Sequence, residues 1–302
     1  MPVQTRTIRR RIKSVTNTRK ITKAMELVAA SKMRKAVNAV LGSRSYAKLA
    51  WDTVHSIGKK IDTSLHPLLR KNPQTKKVLL VILSSDRGLA GGYNTNLIKL
   101  VMTEIKTLGE GIDIQTICIG KRGSDAMRRA KQPIIASFSG ITNNTKFEEV
   151  LPIGRLVINE FTAGHFDKVL LAFTDFVSAI SQKPLVLQLL PLGSSKETSE
   201  IGNVPGQTQE QKSSSTQHTF EPSPMEVLNK ILPRLIETML YQAVLESAAS
   251  EHSSRMMAMR SASDNAEEMI DDLTFTFNQA RQAGITQEIA EISSGKAALE
   301  SR

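Results

Sequence analysis

The chain has little of what most active sites are built from. Among its 302 residues are one cysteine, Cys118, one tryptophan and only 4% aromatics. A lone cysteine excludes an internal disulfide and a thiolate metal site, and it reads as a buried thiol in a reducing compartment. The five histidines, His55, His66, His165, His218 and His252, show no metal-ligand spacing. There is no Gly-x-Ser-x-Gly nucleophile elbow, and no two carboxylates stand at a spacing that marks them as an acid and base pair. No apolar run is long enough to cross a bilayer, and the head lacks the apolar core of a secretory signal. No catalytic constellation and no cofactor are therefore expected. Few aromatics beside plentiful Ala, Ser and Met favour helices over a large β-rich core.

Acids are scarce at one end of the chain. Residues 1–60 hold 15 Lys or Arg against Glu26 and Asp52 alone, whereas residues 225–302 hold 7 against 12 acids, within a net charge of +11. A basic arm of this kind suits nucleic acid, membrane phosphates or an acidic protein, and the acidic C-terminal segment is its nearest complement. The head Arg6, Arg9, Arg10, Arg11 and Lys13 has no interleaved aromatics for stacking on bases, which favours a solvated or partner-facing helix surface over nucleic acid. It is also Arg-rich and acid-poor like a mitochondrial transit peptide, but the helical pattern runs on without a cleavage-like break, so no transit peptide is expected.

What the chain does have is helical rhythm. Ser223, Pro224 and Glu226 form a capping box with Pro at the first helical position. From there Leu228, Leu232, Leu235 and Met239, and later Ile270, Leu273, Phe277 and Ala280, repeat at helical spacing, with no glycine before Gly284. At about 1.5 Å per residue, a helix over 222–299 spans on the order of 110 Å, more than a globular domain of this chain could bury. It needs a partner. Between the two apolar stretches, Ala248, Ala249, Ser250, Ser253, Ser254, Ala258, Ser261, Ala262 and Ser263 keep it thin enough for close approach. Pro233 is expected to kink or loosen this helix without ending it. A second long helix is predicted over residues 1–62, with Ile8, Ile12, Val15, Met25, Val28, Met33, Ala36 and Val40 on its apolar face and a break in the stripe from Thr16 to Lys20.

Pro67 and Asn72-Pro73 mark a turn region, and residues 76–192 read differently. Val78–Leu83 is a continuous apolar run, as in a strand buried on both faces, and a helix-like segment follows from Asn94 to Leu108. Strands are predicted at Ile112–Ile119, Ile134–Ser137, Lys168–Phe173 and Pro184–Leu190, with helices at Arg122–Lys131 and Phe147–Ala163. This alternation predicts a mostly parallel α/β domain. Residues 193–219, rich in Ser, Gln, Thr and Gly, read as a mobile surface loop.

The glycine-rich turn Ser84-Ser85-Asp86-Arg87-Gly88-Leu89-Ala90-Gly91-Gly92 invites a phosphate-site reading, because strand, glycine loop and helix N-terminus together suit an anion. Both nucleotide patterns fail. The fifth position after Gly88 is Tyr93 with no Lys in register, and Gly88, Gly91 and Gly92 are wrongly spaced for a dinucleotide fingerprint. A structural turn is the better reading, with Asp86 and Arg87 as a local ion pair or cap. Glu267, Glu268, Asp271 and Asp272 read as a solvated helix face. Gln279–Glu291 reads either as a fraying helix end or as a contact with something outside the chain.

Three runs carry a family resemblance: Lys20–Lys35 (KITKAMELVAASKMRK), the turn around Asp86–Asn94 (DRGLAGGYN), and Ala280–Gly295. With the order long helix, α/β domain, long helix, they resemble the gamma subunit of the F-type ATP synthase, in its bacterial type, over nearly the whole chain. The resemblance implies an antiparallel coiled coil of the terminal helices with a central Rossmann-like sheet domain. It also implies a rotor shaft without an active site, which binds no nucleic acid and no small-molecule substrate. Its implied partners are the alpha and beta subunits of a catalytic ring, an epsilon subunit and a membrane c-ring, and its implied place is peripheral, on the cytoplasmic face of the bacterial plasma membrane. By motif position, Arg255, Arg281, Gln282 and Thr286 are similar to contacts with the ring's catch loops. Lys23 and Met25 lie where the family's N-terminal helix faces an acidic loop of beta, and Phe220 and Glu221 resemble the foot on the c-ring. The loop 193–219 has no cysteine pair, so thiol regulation is not expected. Two other classes compete with this resemblance: an α/β enzyme that binds an anion at the turn, with coiled-coil oligomerisation arms, and a basic coiled-coil nucleic-acid binder.

Overall fold

A computed structural model describes residues 3–58, 66–70, 72, 75–109, 111–143, 145–192 and 224–300. It resolves into two compact units, one of Ala29–Arg255 and one of Met1–Val28 with Met256–Arg302. The two long helices, α1 (Val3–Gly58) and α5 (Pro224–Glu300), contribute residues to both.

The larger unit is built on a five-stranded sheet in the order β3-β2-β1-β4-β5. Strands β1 (Lys77–Leu83), β2 (Asp113–Ile119), β3 (Ile134–Phe138) and β4 (Lys168–Phe176) run parallel, and β5 (Gln182–Leu190) returns antiparallel along β4. The Val-Leu-Leu-Val-Ile-Leu run of β1 is buried at every position, as a central strand covered on both faces requires. The period-2 pleat divides it. Val78, Leu80 and Ile82 meet Leu97 and Val101 of α2 (Tyr93–Leu108) and Met127 of α3 (Lys121–Arg129). Leu79, Val81 and Leu83 meet Val150, Ile153 and Val157 of α4 (Phe147–Thr162) together with the first turns of α5.

Those first turns of α5 are a core helix of the α/β fold. Leu228, Leu232, Leu235 and Met239 are all buried against the sheet side that α4 also covers. At roughly 1.5–3 kcal/mol per fully buried side chain, they are a large part of what holds this helix down. Gly154 makes the α4–α5 approach possible, because a Cβ there would stand 3.1 Å from Glu237 Cγ. Phe147 and Tyr241 close the same junction edge to face at 5.2 Å, with the Arg234 guanidinium 4.4 Å above the Phe147 ring. Helix α5 begins at Pro224 and passes through Pro233 without ending. Ser223, the expected cap, lies outside the described residues, as do Pro73 and the loop 193–219.

Further along α5, twelve consecutive residues, Gln242–Ser253, are buried on every side. Of the small side chains expected to admit close approach, Ala248, Ala249, Ser250 and Ser253 lie in this run whereas Ser261 is exposed, and what approaches includes strand backbone as well as a helix. Ser250 Oγ donates to the Thr174 carbonyl of β4 at 3.2 Å and Ser253 Oγ to the Ala179 carbonyl at 2.6 Å. Val40 of α1 packs on Leu245 and Ala249, and Ser43 donates to Gln242.

In the smaller unit the two helices meet along a heptad seam. On α5 the positions out of full solvent from 263 to 284 are Ser263, Ala266, Ile270, Leu273, Phe277, Ala280 and Gly284, alternating steps of three and four. Thr5, Ile8, Ile12, Val15, Arg19 and Thr22 give α1 the same rhythm. Thr22 and Ser263 share a buried hydroxyl hydrogen bond of 2.7 Å, and Arg19 pairs with Glu267 at 2.7 Å. Position numbers rise along α1 as they fall along α5, so the pairing is antiparallel. Val28, expected on the apolar face of α1, is 58% exposed, and its neighbour Ala29 is buried.

Candidate interaction surfaces and the Arg255 node

Of the expected contact residues, Lys23, Met25, Arg281, Gln282 and Thr286 lie in the smaller unit and Arg255 in the larger. In the smaller unit, Lys23 is exposed and paired with Glu26 at 2.9 Å, and Met25 is half-buried. Arg281, Gln282 and Thr286 are exposed on α5. Since Thr22 sits opposite Ser263, the α5 residues lie eighteen to twenty-three positions further along, roughly 27 to 35 Å at helical rise. Phe220 and Glu221 are outside the described residues.

The same unit carries an unusual load of uncovered apolar side chains. Ile21, Leu27 and Val28 on α1 and Met269, Phe275, Ile285, Ile289 and Ile292 on α5 are all about half exposed or more. A two-helix seam is narrow, and these residues stand off it. Beyond Gly284 every residue to Lys296 is exposed, so Ile285, Ile289 and Ile292 form a stripe at i, i+4, i+7. An isolated helix of this length is marginal in water. Nothing among the described residues covers this stripe.

Arg255 is placed differently, in the larger unit, at the glycine turn beyond β1. Its Nη2 donates to the Arg87 carbonyl at 3.2 Å and to the Gly88 carbonyl at 3.3 Å, Nε donates to Gly88 at 3.4 Å, and Nη1 donates to Glu251 Oε1 at 2.7 Å. Burial pushes the Glu251 carboxyl up, and Arg255 opposes that shift. Burial, with the charges of Arg255 and Lys32, pushes His252 down to about 4. Tyr93, wholly buried beside them, is driven up by burial and by Glu251. Sequence reading missed this node. Its signal was the i, i+4 spacing of Glu251 and Arg255 with His252 between them, on a helix read as having one buried face.

The turn itself is a structural one. Ser85 Oγ donates to the Arg87 carbonyl at 2.7 Å, the Ser85 N–H donates to Asn94 Oδ1 at 3.1 Å, and Asn94 Nδ2 donates to Ser85 Oγ at 2.7 Å. The groups it turns towards Arg255 are carbonyls, whereas a phosphate needs N–H donors. Asp86 is a cap, though not a local one. Its Oδ1 accepts from the Lys121 N–H at the start of α3, and its Oδ2 accepts from the Gly140 N–H. Gly120 shows how tightly this end of the sheet is closed, since a Cβ there would stand 2.1 Å from the Ser84 carbonyl oxygen at a φ of +97°. Cys118 is buried. Among the described residues no cluster of His, Cys, Asp or Glu could hold a metal ion, and no helix is long and apolar enough to cross a membrane.

The fold therefore defines a class: an α/β sheet domain together with a pair of antiparallel helices that leave apolar residues uncovered. Comparison with known proteins gives the family. A family model described as ATP synthase matches residues 4–299. The chain is 41% identical over 294 residues to the ATP synthase gamma chain of Heliobacterium modesticaldum, covering 97% of this chain and 98% of that one. It is 43% identical over 307 residues to the ATP synthase gamma chain of Herpetosiphon aurantiacus, covering 97% and 98%. A chain of the Tetrahymena thermophila mitochondrial ATP synthase central stalk and c-ring structure matches with a TM-score of 0.59 at 26% identity, covering 80% of this chain and 99% of that one. A chain of the Euglena gracilis mitochondrial ATP synthase rotor shares the fold, with a TM-score of 0.64 at 18% identity over 93% and 99%. The chain belongs to the ATP synthase gamma chain family.

Proposed function

We propose that the chain is the central shaft of an F-type ATP synthase, turning with a membrane c-ring inside a ring of alpha and beta subunits and holding no active site of its own. The observation that carries this reading is the uncovered Ile285, Ile289 and Ile292 stripe on the last turns of α5, with Met269 and Phe275 below it and Ile21, Leu27 and Val28 on α1. A helix pair with apolar residues off its seam suits a sleeve made by other chains. Family membership supports the identity of that sleeve.

In this reading Arg281, Gln282 and Thr286 meet the ring beside the apolar stripe, and Lys23 and Met25 face an acidic loop of beta. The excess of Lys and Arg over acids in α1 supports the second contact electrostatically. A shaft whose sides differ touches each beta subunit differently and so biases each between states of different nucleotide affinity. Phe220 and Glu221 belong to the foot on the c-ring, where epsilon also binds. The chain is peripheral, on the cytoplasmic face of a bacterial plasma membrane, and binds no nucleic acid.

The test is to purify the tagged chain from detergent-solubilised source membranes and to assay ATP hydrolysis with and without residues 280–302. Expected are alpha, beta, epsilon and c subunits in the eluate, no hydrolysis by the chain alone, and altered hydrolysis by the complex after truncation. Recovery of the chain alone, or with nucleic acid, under conditions that keep the ring intact would overturn the reading.

A further inference from the structure

We propose that Arg255 is a positioning residue that clasps the turn Arg87–Gly92 to α5, making turn and helix one mechanical piece through which load passes during rotation. The proposal rests on the shaft reading. All three guanidinium nitrogens are engaged inside the chain, two on the Arg87 and Gly88 carbonyls and one on Glu251. The Arg255 side chain is 11% exposed and that of Glu251 4%. A fork so occupied acts on a partner through what it holds.

What it holds is a strained, outward-facing corner. Leu89 sits at a φ of +61°, a conformation that costs a residue with a Cβ about 1–2 kcal/mol, and its side chain is 63% exposed. Such a conformation persists where its surroundings over-determine it. Here the Ser85–Asn94 hydrogen bonds secure the turn to α2, Asp86 secures it to α3, and Arg255 alone of these reaches α5. Gly88 leaves room for a second guanidinium as well, since a Cβ there would stand 2.9 Å from Arg122 Nη2. Lysine cannot replace the fork, because one ammonium cannot serve two backbone carbonyls and a carboxylate in this planar arrangement.

The test uses the assembled ring-and-shaft complex carrying Arg255→Lys, Arg255→Ala, Glu251→Gln or Arg281→Ala, with two readouts. One is hydrogen exchange of the turn amides. The other is the torque of single complexes driven by ATP. Loss of charge-assisted hydrogen bonds is expected to speed exchange over residues 86–92 by about tenfold or more in both Arg255 variants, with a smaller rise in Glu251→Gln. Torque is expected to fall in the same order. Arg281→Ala, at a proposed ring contact, is expected to change hydrolysis while turn exchange stays as in the parent. Arg255→Lys retains the charge and keeps the test open if Arg255→Ala fails to fold. Exchange unchanged within twofold in both Arg255 variants, or faster exchange with undiminished torque, would overturn the clasp. Failure of the parent chain to assemble with the ring would instead remove the shaft reading beneath it.

Discussion

Two stretches of α5 differ in almost everything except being helix. From Gln242 to Ser253 every residue is buried, including Glu246, Glu251 and His252. From Ile285 to Lys296 every residue is exposed, including three isoleucines. Small side chains bury the first stretch, because they let β4, the β4–β5 turn, the glycine turn and α1 close around it. Large apolar side chains in the second find nothing within the described residues. Burial in this chain thus follows what can approach a helix rather than the hydropathy of the helix, and the contrast locates internal architecture in one stretch and outside business in the other.

The contrast breaks most visibly by truncating one leucine in the core and one isoleucine at the tip. Leu232→Ala, at a position with 0% exposure, is expected to destabilise the isolated chain by about 2–5 kcal/mol in urea unfolding. Ile292→Ala, at 73% exposure, is expected to change it by less than about 0.5 kcal/mol and yet to weaken association with the ring. Comparable losses from the two would show that the tip is covered within the chain after all.

A second effect of similar size lies in pH. His252 faces Arg255 on its own helix, Lys32 from α1, and the neighbouring Glu251. Its pKa is pushed down to about 4, burial being the largest cause. The unfolded chain takes up this proton near 6.5 and the folded chain only near 4, so stability is lost as pH falls through that window, by on the order of 3 kcal/mol. Glu251, raised by burial, contributes with the opposite sign, since the folded state keeps its proton longer as pH rises. The difference between the parent and His252→Gln isolates the histidine. The stability of the parent relative to that variant should rise as pH rises from 4 to 6.5, and a flat difference would mean that His252 titrates normally in the fold.

How much of this was legible in the sequence depended on how many neighbours each residue answers to. The strand runs and the 3-4 rhythm of Ile270, Leu273, Phe277 and Ala280 were readable because one period governs one face. Leu228–Met239 was readable as a buried face, but periodicity could not say that its partner is a sheet. Residues 242–253 answer to several elements at once, and the hold of the adjoining Arg255 on the Arg87 and Gly88 carbonyls could not be read from its own helix. The glycine turn failed both phosphate patterns on spacing, and the carbonyls it turns towards Arg255 agree. Why Asp86 reaches Lys121 and Gly140 could not be read locally, because those partners come from later crossovers of the sheet.

Within the smaller unit the seam can be tested at the buried pair Thr22 and Ser263. Thr22→Val removes one hydroxyl of a 2.7 Å hydrogen bond and leaves Ser263 without that partner, a loss of about 1–2 kcal/mol. Thr22→Val with Ser263→Ala replaces both groups by apolar ones and should recover most of it. If the double variant is as unstable as the single, the seam needs the hydroxyls for register rather than for satisfaction.

The smallest effect belongs to the most conspicuous contact between the oppositely charged ends of the chain. Arg19 and Glu267 meet at 2.7 Å, but their side chains are 43% and 55% exposed. Water and salt screen such a pair, and holding two long side chains in place offsets much of the attraction. Glu267→Gln should therefore cost the isolated chain no more than about 0.5 kcal/mol, and less at high salt, in the same urea assay. A larger loss that persists in salt would mean that charge complementarity pairs the helices. The expected small one leaves the seam residues Ile270, Leu273 and Phe277 to do so, and leaves most of the positive charge of α1 available to a partner outside the chain.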